Sequence, residues 1–148
     1  MWVAAGGSGY PAPMSDAPDG FRPLADAGEF ADLVGPLHVG PGEVLGVRVD
    51  ERHLNRAGTA MGGFLATLVD AALGRAVRAE ADGGASTATV SLTTDYLRPA
   101  PAGAWLEART AVERIGSRLA FADCSVTADG REVVRARAVF AIRAGDED

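Results

Sequence analysis

The 148-residue chain contains no lysine: all 14 of its basic residues are arginine, set against 20 acidic ones for a net charge of −6. No basic block exists to follow a nucleic-acid backbone, which argues against nucleic acid as a partner. Cysteine is nearly absent as well. The single Cys124 excludes an internal disulfide and fits a reducing cytoplasm. It stands in an alternating stretch, where a buried, inert thiol is expected rather than a nucleophile. No run approaches the roughly 18 apolar residues of a membrane helix, so no membrane partner is expected. The opening residues, MWVAAGGSGYPAPMSDAPDG, lack the basic start and compact apolar core of a secretion signal. His38 and His53 are the only histidines, and neither has Cys or Glu at ligand spacing, so no metal site is expected. No Gly-x-Ser-x-Gly elbow is present, which argues against a serine hydrolase of that type.

What remains is ordinary globular material, 47% apolar and 23% charged, of a length that suits one domain with a sizeable core. Residues 1–20 are rich in Gly and Pro and read as a disordered leader, 21–143 as one folded domain, and 144–148 as an acidic tail. Residues 23–35 carry helical spacing that Gly35 stops, which predicts a short helix. Two strands are expected over 36–55, the second with Leu45, Val47 and Val49 on one face. His38, isolated in the first, reads as structural. A long helix then runs from Thr59 or Met61 to about Ala81. From Ser86 the pattern has period two: one strand places Ala88, Val90, Leu92 and Thr94 together and ends at Pro99. Later strands follow, with a tight hairpin at Asp129-Gly130 and Val134, Ala136, Ala138, Phe140 and Ile142 on one side of the last. Strands, one apolar helix and three or four further strands make an α+β fold, an antiparallel sheet wrapped around its helix.

The long helix carries the chemistry. Leu65, Leu68, Val69, Ala72, Leu73, Ala76 and Val77 form a broad apolar stripe, and Asp70 lies beside it. Its neighbours at three and four residues are Ala66, Thr67, Leu73 and Gly74, so no basic residue pairs with it along the helix. An acid so placed is either a solvated surface group or a base or nucleophile, and the small neighbours that clear space around it favour the second reading. Gly62 and Gly63 stand at the helix start, where backbone N–H groups lack partners and glycine admits a ligand. Such a site polarises a carbonyl or stabilises an oxyanion, though two glycines also serve close packing. Gly62 and Asp70 are eight residues apart, about 12 Å along one helix. If both act on one small carbonyl, one of them comes from a second copy of the chain across a two-fold axis.

The stretch HLNRAGTAMGGFLATLVDAALG resembles the H-x-N-x-x-G-x-x-H-G-G-x(6)-D signature of hotdog-fold acyl-CoA thioesterases of the PaaI-like, phenylacetate-degradation group. ATVSLTTDYLRPAPAG and ERIGSRLAFADCSVTADGREVVRARAVFAI resemble later parts of that family in the same order, extending the match over about residues 36–142. The resemblance implies a long helix wrapped by an antiparallel sheet, working as a homodimer or a dimer of dimers, with no cofactor. It implies hydrolysis of an acyl thioester, aryl groups included, carried by CoA or by an acyl carrier protein. Asp70 is then the catalytic carboxylate, the Gly62 N–H binds the thioester oxygen, and Asn55 lies near the reacting centre in the facing subunit. Thr89 falls where relatives carry a Ser or Thr that helps place water, and Gly63 and Met61 flank the substrate.

Two departures stand out. Met61 occupies the position of the family's second His, and a thioether there lines an apolar acyl pocket or leaves a differently tuned enzyme. Ser117 stands where a basic residue near the CoA phosphates is usual, with Arg118 one place on. His53 opens the motif with two roles left open, hydrogen bonding near the substrate and holding the loop. Two alternatives accompany the thioesterase reading. One is a non-catalytic acyl-thioester binding or regulatory module. The other is an enoyl-thioester hydratase or dehydratase, which needs an acid–base His that neither His53 nor Met61 supplies.

Overall fold

A computed structural model describes residues 16–81 and 84–145. The expected leader and acidic tail therefore fall largely outside the described residues. In chain order the elements are β1 (Arg22–Pro23), α1 (Glu29–Val34), β2 (His38–Val39), β3 (Leu45–Arg48), α2 (Gly62–Glu80), β4 (Ser86–Tyr96), β5 (Trp105–Ile115), β6 (Leu119–Ala128) and β7 (Arg131–Arg143). The strands form one antiparallel sheet in the order β1-β2-β3-β5-β6-β7-β4. This α+β arrangement, a long helix in the curve of an antiparallel sheet, is the hotdog fold.

Helix α2 matches its expected span, because its cause is local. Phe64, Leu65, Leu68, Val69, Ala72, Leu73 and Val77 are buried together with Leu45, Val47 and Leu106 in one core cluster. Full burial of each such side chain stabilises the fold by about 1.5–3 kcal/mol relative to exposure. The last strand also follows its pattern: Val134, Ala136, Ala138 and Phe140 are buried. Asp129 and Gly130 turn the hairpin with φ of 47° and 85°, the left-handed pair that a two-residue turn demands. Cys124 is buried, and burial pushes its thiol up to about 12, so it is inert at neutral pH. His38 is buried edge-on against Trp105.

Two expectations need correction. The helix read over 23–35 is shorter. Arg22 and Pro23 pair with Val39 and His38, and only Glu29–Val34 coils, beginning after Gly28 in a left-handed conformation (φ 95°). Gly35 does end it, its N–H reaching the Ala31 carbonyl at 2.8 Å. The second correction concerns β4. Ala88 and Val90 do not share a face with Leu92 and Thr94, because the register with β7 slips between Thr89 and Ser91. Thr89 opposes Phe140 and Ser91 opposes Val139, so Val90 is the unpaired extra residue of a β-bulge. A one-residue slip exchanges the faces of a strand. Thr87 and Thr89, opposite the inward-side Ile142 and Phe140, therefore join Leu92 and Thr94 on the helix side, while Ala88 and Val90 are exposed.

Candidate active site

Asp70 sits midway along α2, half-buried, and the bulge in β4 aims Thr89 at it. The Thr89 hydroxyl donates to Asp70 Oδ1 at 2.7 Å. No arginine pairs with Asp70 among the described residues, and Arg75, one turn on, bonds to Glu43 instead. Asp70 and Thr89 lie in a cleft of about 450 Å³ whose other walls include Phe30, Ala71, Gly74 and Phe140. Glu29, Thr67 and Arg78 line it too. A carboxylate held by one hydroxyl and facing an open cleft keeps lone pairs free for a proton or an electrophilic carbon.

Gly62 belongs to a different place. It opens α2 behind Met61, whose side chain makes no capping bond, so the first N–H groups have no helical partner. A second cleft, of about 300 Å³, is lined by Gly62, Asn55, Tyr96 and Arg98 among others, and shares no residue with the Asp70 cleft. Tyr96 was not foreseen. Its hydroxyl donates to the Gly62 carbonyl at 2.8 Å, and a Cβ on Gly62 would stand 3.2 Å from its ring. Gly62 lets the Tyr96 ring approach closely, whereas a Cβ on Gly63 would meet nothing within 4 Å. The aromatic end of the YLRP stretch was the available signal for Tyr96, but its partner is 34 residues away.

Asn55 builds the turn before the helix. Its Oδ1 accepts from the N–H groups of Ala57 (2.9 Å) and Thr59 (3.2 Å), and its Nδ2 donates to Thr59 Oγ1 at 3.1 Å. Met61 is 58% exposed and lines neither cleft.

His53 lines neither cleft, and of the two roles left open for it the geometry accords with holding the loop. Its Nδ1 accepts from the Asp50 N–H at 3.0 Å and its Nε2 faces the Val34 carbonyl at 2.5 Å. The ring is buried and stacked on Phe64, with centroids 3.8 Å apart. Both nitrogens are therefore occupied in holding the loop. Burial pulls its pKa below the ordinary value, against the opposing pull of the Val34 carbonyl and Asp50. Burial alone would raise Asp50, but its hydrogen bonds with Arg52 outweigh that and hold it below its ordinary value. Arg52 also donates to the carbonyls of Leu33, at 2.8 Å, and Gly35. Arg52 and His53 together fasten the C-terminal end of α1.

Among the described residues no three His, Cys, Asp or Glu side chains converge to hold a metal ion. Nor is any described helix long and apolar enough to cross a membrane.

Comparison with known proteins gives these geometries a context. The family model described as the thioesterase superfamily matches residues 57–135. A Pseudomonas aeruginosa protein whose name assigns it as an esterase is 37% identical over 131 residues, spanning 86% of this chain and 98% of that one. Mouse acyl-coenzyme A thioesterase 13 is 33% identical over 81 residues, 55% of this chain and 57% of its own. Among solved structures, a mutant of the phenylacetic acid degradation protein PaaI from Thermus thermophilus is 32% identical. It covers 76% of this chain and 96% of that one, with a TM-score of 0.67.

Proposed function

This chain belongs to the thioesterase superfamily and is a thioester hydrolase, and from that premise we propose how its residues act and on what. The substrate is an acyl-CoA thioester, a reading supported by the name of the mouse relative. Aryl acyl groups fit the likeness to a phenylacetic acid degradation protein. The observation that carries the assignment is the Asp70 carboxylate, without a salt-bridge partner among the described residues and held by Thr89 in a cleft that Phe30, Phe140 and Arg78 also line.

Asp70 attacks the thioester carbon or takes a proton from the water that does. As nucleophile Asp70 forms an anhydride with the acyl group while the carbon–sulfur bond breaks; the thiolate takes a proton from solvent, and water then hydrolyses the anhydride to the acid and frees Asp70. As base Asp70 takes the proton of the water that bonds to the carbon and gives it to the departing thiolate. The charge that develops on the carbonyl oxygen needs a donor, and the unpartnered N–H of Gly62 at the start of α2 suits it. Within one chain Gly62 and Asp70 line separate clefts, so the complete site takes Gly62, Asn55 and Tyr96 from a second copy. The edge strand β4 supports such pairing. It is eleven residues long and almost wholly exposed, with neither Lys nor Pro to guard it. Gly63 and Met61, exposed beside Gly62, face the substrate or partner in that assembly. Residues 21–143 form its single domain, and the lone unpaired Cys124 fits a cytoplasmic location.

The test is hydrolysis of a panel of acyl-CoA thioesters by the purified chain and its Asp70→Asn variant. We expect the variant to keep its fold and melting temperature and to lose about 100- to 10,000-fold in kcat. A variant that hydrolyses at the wild-type rate removes Asp70 from the chemistry.

A further inference from the structure

The Asp70 cleft has a wall that neither α2 nor the main strands supply. Residues 27–31, the start of α1 and the two residues before it, close one side, and the Phe30 ring belongs to that wall while remaining 62% exposed. The lining also includes the buried Phe140, the small residues Ala71 and Gly74, and Arg78. At Gly74 a Cβ would stand 3.6 Å from Phe140 and 3.4 Å from Arg78, so its absence keeps the floor of the cleft open. Asp70 and Thr89 thus share a space with two aromatic lining residues, Phe30 and Phe140.

Phe30 is positioned from outside the cleft. Three successive carbonyls at the end of α1, those of Leu33, Val34 and Gly35, are held by Arg52 and His53. Those two residues are themselves tied to Asp50, which caps their turn. The other end of α1 has no side-chain cap and starts at Gly28, whose space is open. A short helix fastened at one end and bearing an apolar ring over the cleft is a wall of set position with a free edge.

We propose that Phe30 is a specificity-determining residue of the acyl subsite, its ring packing on compact apolar acyl groups of ring size and adding little for a two-carbon acyl group. This inference rests on the thioesterase reading, because it assigns the acyl group to the Asp70 cleft. An apolar contact of this kind discriminates by about ten-fold or more.

The experiment measures binding by calorimetry, so that it does not depend on turnover. Two inert CoA thioethers serve as probes, in which a CH2 between sulfur and carbonyl replaces the thioester: one has a methyl ketone tail, the other a benzyl ketone tail. Phe30→Ala should weaken the benzyl ketone about ten-fold and leave the methyl ketone within about two-fold. Leu33→Ala is the control, on the same helix and equally exposed but outside the cleft, and it should change neither. Equal loss for both probes, no loss in Phe30→Ala, or the same selective loss in Leu33→Ala would each overturn the proposal. A wild-type chain that prefers the benzyl probe through Phe30 yet hydrolyses no acyl-CoA would uphold the wall and defeat the hydrolase reading.

Discussion

His53 shows how one side chain in a motif serves the fold rather than the substrate. Neutral, it accepts from the Asp50 N–H at Nδ1 and donates from Nε2 to the Val34 carbonyl; protonated, it loses the first of these bonds. Because burial depresses its folded pKa below 6.5, the unfolded chain takes up this proton first as the medium acidifies. Its contribution is complete above the unfolded value and is lost as pH falls from there through the folded one. Melting temperature should therefore drop as pH falls below about 6.5. His53→Gln should melt lower at neutral pH but show a shallower slope across that window. Equal slopes in the two proteins, followed by calorimetry, would show that His53 is not the titrating group. At this scale the acid on the helix and the glycine at its start were legible in the sequence, since each is unusual in its own neighbourhood. The roles of His53 and Tyr96 were not, since their partners lie 19 and 34 residues away.

Among the elements, α2 and β7 were readable because periodicity is a local property and their burial follows it. Strand β4 was misread at its first half for a physical reason. A bulge is set by the pairing partner, here β7, and nothing in the alternation around Val90 marks the residue that drops out of register. The bond from the Thr89 hydroxyl to Asp70 depends on that slip. With unbroken alternation Thr89 would share the exposed face with Ser91 and Thr93, away from Asp70. The same strand carries the assembly prediction. Val90 is 61% exposed on an open edge, where a charge opposes strand pairing. Val90→Lys should keep its circular dichroism spectrum while shifting toward a single chain in light scattering, with activity falling in proportion. A variant that stays dimeric and fully active would move the interface elsewhere.

For the whole molecule, the telling feature is the division of parts between two clefts. If Asp70 of one copy works with Gly62 and Asn55 of another, then Asp70→Asn chains mixed with Asn55→Ala chains should recover activity that neither has alone. Each mixed dimer carries one intact site and one doubly damaged site, so up to about a quarter of wild-type activity is expected after random exchange. No recovery, once exchange is verified by mass tagging, would argue for a site within one chain. The outer face of the sheet carries ion pairs instead. There Arg137 pairs with Asp123 across β6 and β7, and Arg135 pairs with Glu132, as on a solvated surface. A site divided between two copies would also give the protein a dependence on its own abundance. When chains are scarce enough to dissociate, specific activity falls with dilution even at saturating substrate, and doubling the chain raises output up to four-fold. Expression level then governs flux more steeply than for an enzyme whose single chain is complete.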